Sequence, residues 1–144
     1  MSAIKGKDTK PELIVRKGLF ARGFRFRLHE KKLAGKPDLV LRKYNAAIFV
    51  NGCFWHGHQC RLFKWPETRA DFWRNKIQRN EANDSRNLHL LRTSGWRIML
   101  IWECALKGKS EKEIDRALDR AAAWLCGQGK FLEIADDELP VELD

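Results

Sequence analysis

Four soft or borderline metal ligands are split between two distant places, and this constrains the chain more than anything else in it. Cys53, His58 and Cys60 lie within one short loop, whereas Cys104 stands just beyond a nearly continuous apolar run from Trp96 to Trp102. Three close ligands and one distant one suit a tetrahedral zinc ion, and four protein ligands make a closed, structural site. His56, two residues from His58, is an alternative ligand by spacing. A cysteine taken alone is more often a small buried hydrophobe, and that reading is kept for Cys126. Residues 51–67 show no clean period, so a metal crosslink to the end of the 96–102 strand would replace packing that this loop lacks.

The chain has 144 residues, 44% hydrophobic and 33% charged, which fits one compact domain over residues 1–132 followed by an acidic tail over 133–144. No apolar run approaches the roughly 20 residues needed to cross a bilayer, and residues 1–10 lack the apolar stretch of a signal peptide. The expectation is a soluble cytoplasmic protein with no membrane partner. In that compartment the cysteines read as metal ligands before disulfides. Net charge is +9, yet six carboxylates sit in the base-free tail, leaving 28 bases against 13 acids, or +15, over residues 1–132. Such an excess favours a polyanionic partner, because each phosphate neutralised by Lys or Arg releases a condensed counterion. The tail's carboxylates could compete with that partner for the basic face; a solvated tail is the plainer reading.

Thr9-Lys10-Pro11-Glu12 reads as an N-cap, a permitted early proline and the Glu of a capping box, opening a helix to about Arg22 with apolar Leu13, Val15, Leu19 and Phe20. Gly23 can close it. Phe24 to Leu28 alternates apolar and basic residues with period two, and Asp38 to Arg42 and Ala46 to Val50 read as two further strands forming a hairpin. Thr68 to Thr93 reads as a long charged helix that could be broken midway. Trp96 to Trp102 has the composition of a strand buried on both faces. Ile114, Leu118, Ala121 and Leu125 mark one face of a last helix. The order αβββαβα implies a three-layer αβα domain around a central mixed sheet.

Asp38 follows Lys36-Pro37 at a strand start, which places its carboxylate at a sheet edge where a hard cation binds oxygen ligands. A Pro-Asp pair is also a common turn element. What favours chemistry is the next strand, which delivers His56 to the same region. A divalent ion would activate water and offset phosphate charge, while an imidazole moves a proton near neutral pH. His29 and His89 lack such company and read as surface residues. Phe54, Trp55, Phe63, Trp65, Phe72 and Trp73 supply six of the fifteen aromatics among His, Arg and Lys, and planar rings on a stiffened loop can wedge between base pairs. Phe63 and Phe72 are assigned to the core.

The string from Asn51 to Cys60, with Gly35-Lys36-Pro37-Asp38 upstream and Trp102-Glu103-Cys104-Ala105-Leu106 downstream, resembles the very-short-patch-repair (Vsr) DNA mismatch endonuclease family from about Ile4 to Gly108. The resemblance implies a restriction-endonuclease-like fold and a magnesium-dependent nick 5′ to the thymine of a T:G mismatch in double-stranded DNA. It implies that Asp38 and the Val50 carbonyl hold magnesium, that His56 acts near the attacking water, and that Glu12 and Asp84 assist. Phe54, Trp55 and Trp73 would form the intercalating wedge, and Cys53, His58, Cys60 and Cys104 would hold zinc. A monomer is expected, nucleoid-associated, with mismatch-repair proteins as candidate further partners.

Two departures from the family pattern bear on this. Asn51 stands where the best-known members have histidine, so proton chemistry relies on His56 alone. The chain also begins only a few residues before its first helix, where the family has a longer arm that clasps DNA. Two alternatives stay open: a restriction-type nuclease of the same fold that cuts both strands, and a zinc-stabilised DNA-binding module without activity.

Overall fold

The computed structural model describes residues 9–136. Helix α1 spans Lys10–Ala21, and is followed by strands β1 (Arg27–Leu28), β2 (Leu39–Leu41) and β3 (Ala46–Asn51). Helix α2 (Ala70–Thr93) leads to β4 (Arg97–Trp102), and helix α3 (Glu111–Cys126) leads to β5 (Phe131–Ile134). The five strands form one mixed sheet in chain order, with antiparallel pairing from β1 to β3 and parallel pairing from β3 to β5.

Side-chain alternation divides the sheet between two cores. Ala46 and Ile48 of β3 and Met99 and Ile101 of β4 face Val15 and Leu19 of α1 and Ala121 and Leu125 of α3. Ala47, Phe49, Ile98 and Leu100 face the other way, against Leu91 of α2. This is the expected three-layer αβα arrangement with a mixed central sheet. Each fully buried Leu or Ile contributes on the order of 2 kcal/mol, so β4, with five buried residues in its six, is the backbone of the fold.

Several local expectations change. The order gains a final strand, αβββαβαβ, because Phe131–Ile134 pairs with Ile98–Ile101. The boundary drawn at 132 therefore falls inside β5, and Asp136 is anchored by Arg61 and Lys109, each at 2.6 Å. Burial opposes the charge on Asp136, but bonds from those two cations outweigh it and hold its pKa low. The rest of the supposed tail, 137–144, lies outside the described residues, as do residues 1–8. Only Arg27–Leu28 of the alternating 24–28 segment pairs as a strand. Helix α2 is continuous over its 24 residues. In α1, Leu13 and Phe20 face outward while Val15 and Leu19 are buried, and the Arg25 guanidinium covers the Phe20 ring at 3.9 Å. The capping box belongs to α3 instead, where Ser110 and Glu113 satisfy each other's backbone N–H groups.

Candidate active site and metal centre

One end of the sheet gathers the chemistry. Parallel pairing sets Asn51 beside Trp102 at the C-terminal ends of β3 and β4, and antiparallel pairing brings the start of β2 to the same edge, with Leu39 opposite Ile48. Asp38 therefore emerges next to the last residues of β3. Its Oδ2 accepts a hydrogen bond from the Val50 N–H at 2.7 Å, and its carbonyl accepts one from the His29 N–H at 3.0 Å. Burial raises the Asp38 pKa from 3.8 to about 6; the Val50 bond opposes that rise, the charge of Glu12 adds to it, and His29 and His56 pull it back.

His56 enters from the loop after β3. Its Nδ1 lies 2.5 Å from Oδ2 of Asp84 on α2. A neutral imidazole that donates from Nδ1 leaves Nε2 as its acceptor. Asp38, Val50, Asn51, His56, Asp84 and Trp102 all line one cleft of about 640 Å³. Between His56 and His58 stands Gly57, at φ +66°, where a Cβ would sit 2.3 Å from Oε2 of Glu81 and 2.9 Å from Cγ2 of Ile77. The left-handed backbone favours glycine here, and a larger residue would also have to displace the Glu81 and Ile77 side chains of α2.

Glu12 is not a capping residue. Thr9 makes no side-chain cap bond, and Glu12 shares the inward stripe of α1 with Val15 and Leu19, leaving it 1% exposed. Its Oε2 lies 2.6 Å from Nε2 of His29. Glu12, His29 and Asp38 offer ligand atoms within 4.8 Å of one another, so His29, expected at the surface, belongs to the site. Its signal in the sequence was only its register, one residue beyond the strand that pairs with β2. His89 is exposed on α2 as expected.

Cys53, His58, Cys60 and Cys104 form a second cluster with ligand atoms within 4.8 Å. Of the two imidazoles open by spacing, His58 joins this cluster and His56 lies in the cleft. Cys104 Sγ is 3.8 Å from His58 Nδ1, and the His58 ring stacks on Trp102 at 4.2 Å and 7°. Trp102 in turn donates from Nε1 to Glu133 of β5 at 2.5 Å. Burial pushes the Cys53 and Cys104 thiols up, and neighbouring sulfurs add to the effect on Cys53. Thiolates gathered so closely need a cation among them, and a soft three-sulfur, one-nitrogen set fits zinc. Cys126 is exposed, contrary to its assignment as a buried hydrophobe, because it ends α3 on the side away from the Leu118, Ala121 and Leu125 stripe.

Phe54, Trp55 and Trp73 meet edge to face with centroids 5.2 to 5.6 Å apart. Neither aromatic assigned to the core lies there. Phe72 is 45% exposed beneath the Arg69 guanidinium, and half-buried Phe63 stacks on Phe54 and meets Trp65. The rings pack chiefly on one another, since the loop has no sheet of its own to cover. Asn80 of α2 holds the loop through the Trp55 carbonyl at 2.9 Å.

A mixed sheet flanked by helices, with Asp38 and an acid-backed imidazole in a cleft at its strand ends and Glu12 beside Asp38, has the organisation of a restriction-endonuclease-like nuclease. Sequence comparison narrows this class. A family profile described as DNA mismatch endonuclease Vsr matches residues 1–62. The DNA mismatch endonuclease Vsr of Escherichia coli (strain K12) is 44% identical over 135 residues, 93% of this chain and 86% of that protein. The type II nicking enzyme V.NmeAIP of Neisseria meningitidis serogroup A is 46% identical over 110 residues, 76% of this chain and 79% of that one. V.XorIIP of Xanthomonas oryzae pv. oryzae, also a type II nicking enzyme, is 43% identical over 121 residues, 83% and 89% of the two chains. The chain belongs to the Vsr family of DNA mismatch endonucleases. Nucleases of this family imply a divalent metal, and among the described residues no helix is long and apolar enough to cross a membrane.

Proposed function

We propose that this chain nicks one strand of double-stranded DNA 5′ to the thymine of a T:G mismatch, using magnesium held at Asp38. The observation that carries the reading is the convergence of Asp38, Val50 and the His56–Asp84 pair in one cleft. Two carboxylates with a backbone carbonyl at hand are the hard oxygen donors that suit magnesium. Asp38 would hold the ion with the carbonyl of Val50, the residue whose N–H already fixes the acid, and Glu12 would assist from α1. A bound divalent ion supplies charge neutralisation on the phosphate and a more acidic water. His56, with its tautomer set by Asp84, would take the proton of the attacking water at Nε2.

The Phe54, Trp55 and Trp73 triad supports selectivity for weak pairs. A wedge of rings unstacks a base step at a cost of a few kcal/mol, least where the pair is mismatched. Zinc on Cys53, His58, Cys60 and Cys104 would stiffen the loop that carries both the wedge and His56. The protein would work as a cytoplasmic monomer on nucleoid DNA, with mismatch-repair proteins as further partners.

The test is incubation of purified protein and Mg2+ with labelled T:G and matched duplexes, mapped to single-nucleotide resolution. One break 5′ to the thymine, in the mismatched duplex only, is expected. Cleavage of both strands of a matched site would assign a restriction-type activity instead. Salt-dependent binding without any break, under Mg2+ or Mn2+, would assign an inactive DNA-binding module.

A further inference from the structure

His29 offers a ligand atom within 4.8 Å of those of Glu12 and Asp38, yet has no part in the reaction as set out above. It follows β1 in the left-handed region, at φ +49°, a conformation rare for residues other than glycine and better tolerated by His, Asn and Asp. The turn is fixed from behind by the bond from its N–H to the Asp38 carbonyl at 3.0 Å. It aims the imidazole at α1, where Nε2 meets Oε2 of Glu12 at 2.6 Å with side chains 21% and 2% exposed. An ionised carboxylate accepts hydrogen bonds only, so the arrangement suits an imidazole that donates from Nε2. Arg16 also reaches the same oxygen, at 3.4 Å, from one turn along α1.

The bond to His29 is the shorter of these two restraints on Glu12. The Glu12 side chain has three rotatable bonds, and the charge of Asp38 close by favours a rotamer that swings it away. A short, half-buried N–H to carboxylate bond is among the stronger restraints a protein can apply.

We infer that His29 is a positioning residue for strand cleavage, holding the Glu12 carboxylate toward Asp38 so that the two acids present their oxygens to one cation. This rests on the assignment of Asp38 as the acid that holds the metal. The competing arrangement has His29 abandon Glu12 and bind the cation directly.

The experiment measures kcat and KM for nicking a labelled T:G duplex under Mg2+, with thermal unfolding of each variant alongside. His29→Asn tolerates the left-handed backbone but is too short to reach Glu12, whereas His29→Gln keeps an N–H donor at similar reach. His29→Asn should lower kcat by about 10- to 100-fold and leave KM within about threefold, and His29→Gln should recover most of the loss. In a Glu12→Gln background, His29→Asn should cost no more than about threefold further. An unchanged kcat in His29→Asn overturns the inference, as does a rise in KM alone. A loss that Gln does not rescue and that persists undiminished in the Glu12→Gln background overturns it in favour of direct metal contact. Should His29→Asn not fold, His29→Gly, which accepts the left-handed backbone and has no side chain to reach Glu12, takes its place with the same limits on kcat, KM and rescue by His29→Gln. Asp38→Ala separates the two readings. If that variant still nicks, the metal assignment fails whatever His29 does; if it is dead while His29→Asn matches the parent, only the role of His29 fails.

Discussion

Val50 donates its backbone N–H to the carboxylate of Asp38 across 2.7 Å, tying the acid to the strand that runs directly into the ligand-bearing loop. The bond partly offsets the burial that raises the pKa of Asp38 from 3.8 to about 6. A raised folded-state value means that the fold prefers the neutral acid. Its stabilising effect is present below about pH 4 and is lost as the pH rises through 6. Asp38→Asn should therefore stabilise the metal-free protein at pH 7.5 by about 1–2 kcal/mol, after allowance for partial solvent access, and by much less at pH 4. Urea unfolding at the two pH values measures this, and an equal gain at both would show that ionisation is not the cause. Magnesium affinity, which needs the carboxylate, should climb over the same window, as read by titration calorimetry.

The bond between His56 and Asp84 predicts a graded loss. His56→Ala removes the imidazole and should lower the single-turnover nicking rate by about 10²- to 10⁴-fold. Asp84→Asn leaves the ring but releases its tautomer and orientation, at a cost of about 10- to 100-fold. DNA affinity, followed by fluorescence anisotropy, should stay near the parent's in both. A matching fall in affinity and rate would make the pair a structural clamp instead.

Metal removal should unfasten the loop from β4. Purified protein should hold one zinc per chain by elemental analysis, and Cys104→Ser or a strong chelator should lower Tm by at least about 5 °C. Cys126→Ser, at an exposed helix end, should not change it. An unchanged Tm in the zinc-free protein would mean that the aromatic packing alone holds the loop.

Much of this architecture was legible because periodicity reports burial. The apolar run at 96–102 and the stripe from Leu118 to Leu125 could be buried in few other ways, and both are. The three cysteines of the metal cluster were legible from spacing and ligand type, whereas the choice of His58 over His56 rested on the family resemblance. Of the two readings of Glu12, the capping box fails: Thr9-Lys10-Pro11-Glu12 has the pattern of one but makes no side-chain cap bond, and the partner of Glu12, His29, is 17 residues away. The inward spacing with Val15 and Leu19 was the available signal. His29 had only its register beyond β1 to mark it, since its side chain is aimed by a left-handed backbone that no periodic pattern encodes. The last strand escaped because only Ile134 of its four residues is buried and its neighbours are acidic. Phe72 was placed inside by its hydrophobicity, whereas α2 turns it outward under Arg69.

Gly57 separates two histidines that serve different ends, His56 toward Asp84 and His58 toward the cysteines, at a φ of +66° with two side chains of α2 against it. An added methyl group would strain the left-handed backbone between the two rings and press on Glu81 and Ile77. This one turn therefore joins the geometry of the cleft to that of the cysteine cluster, so a substitution at it would be felt on both sides.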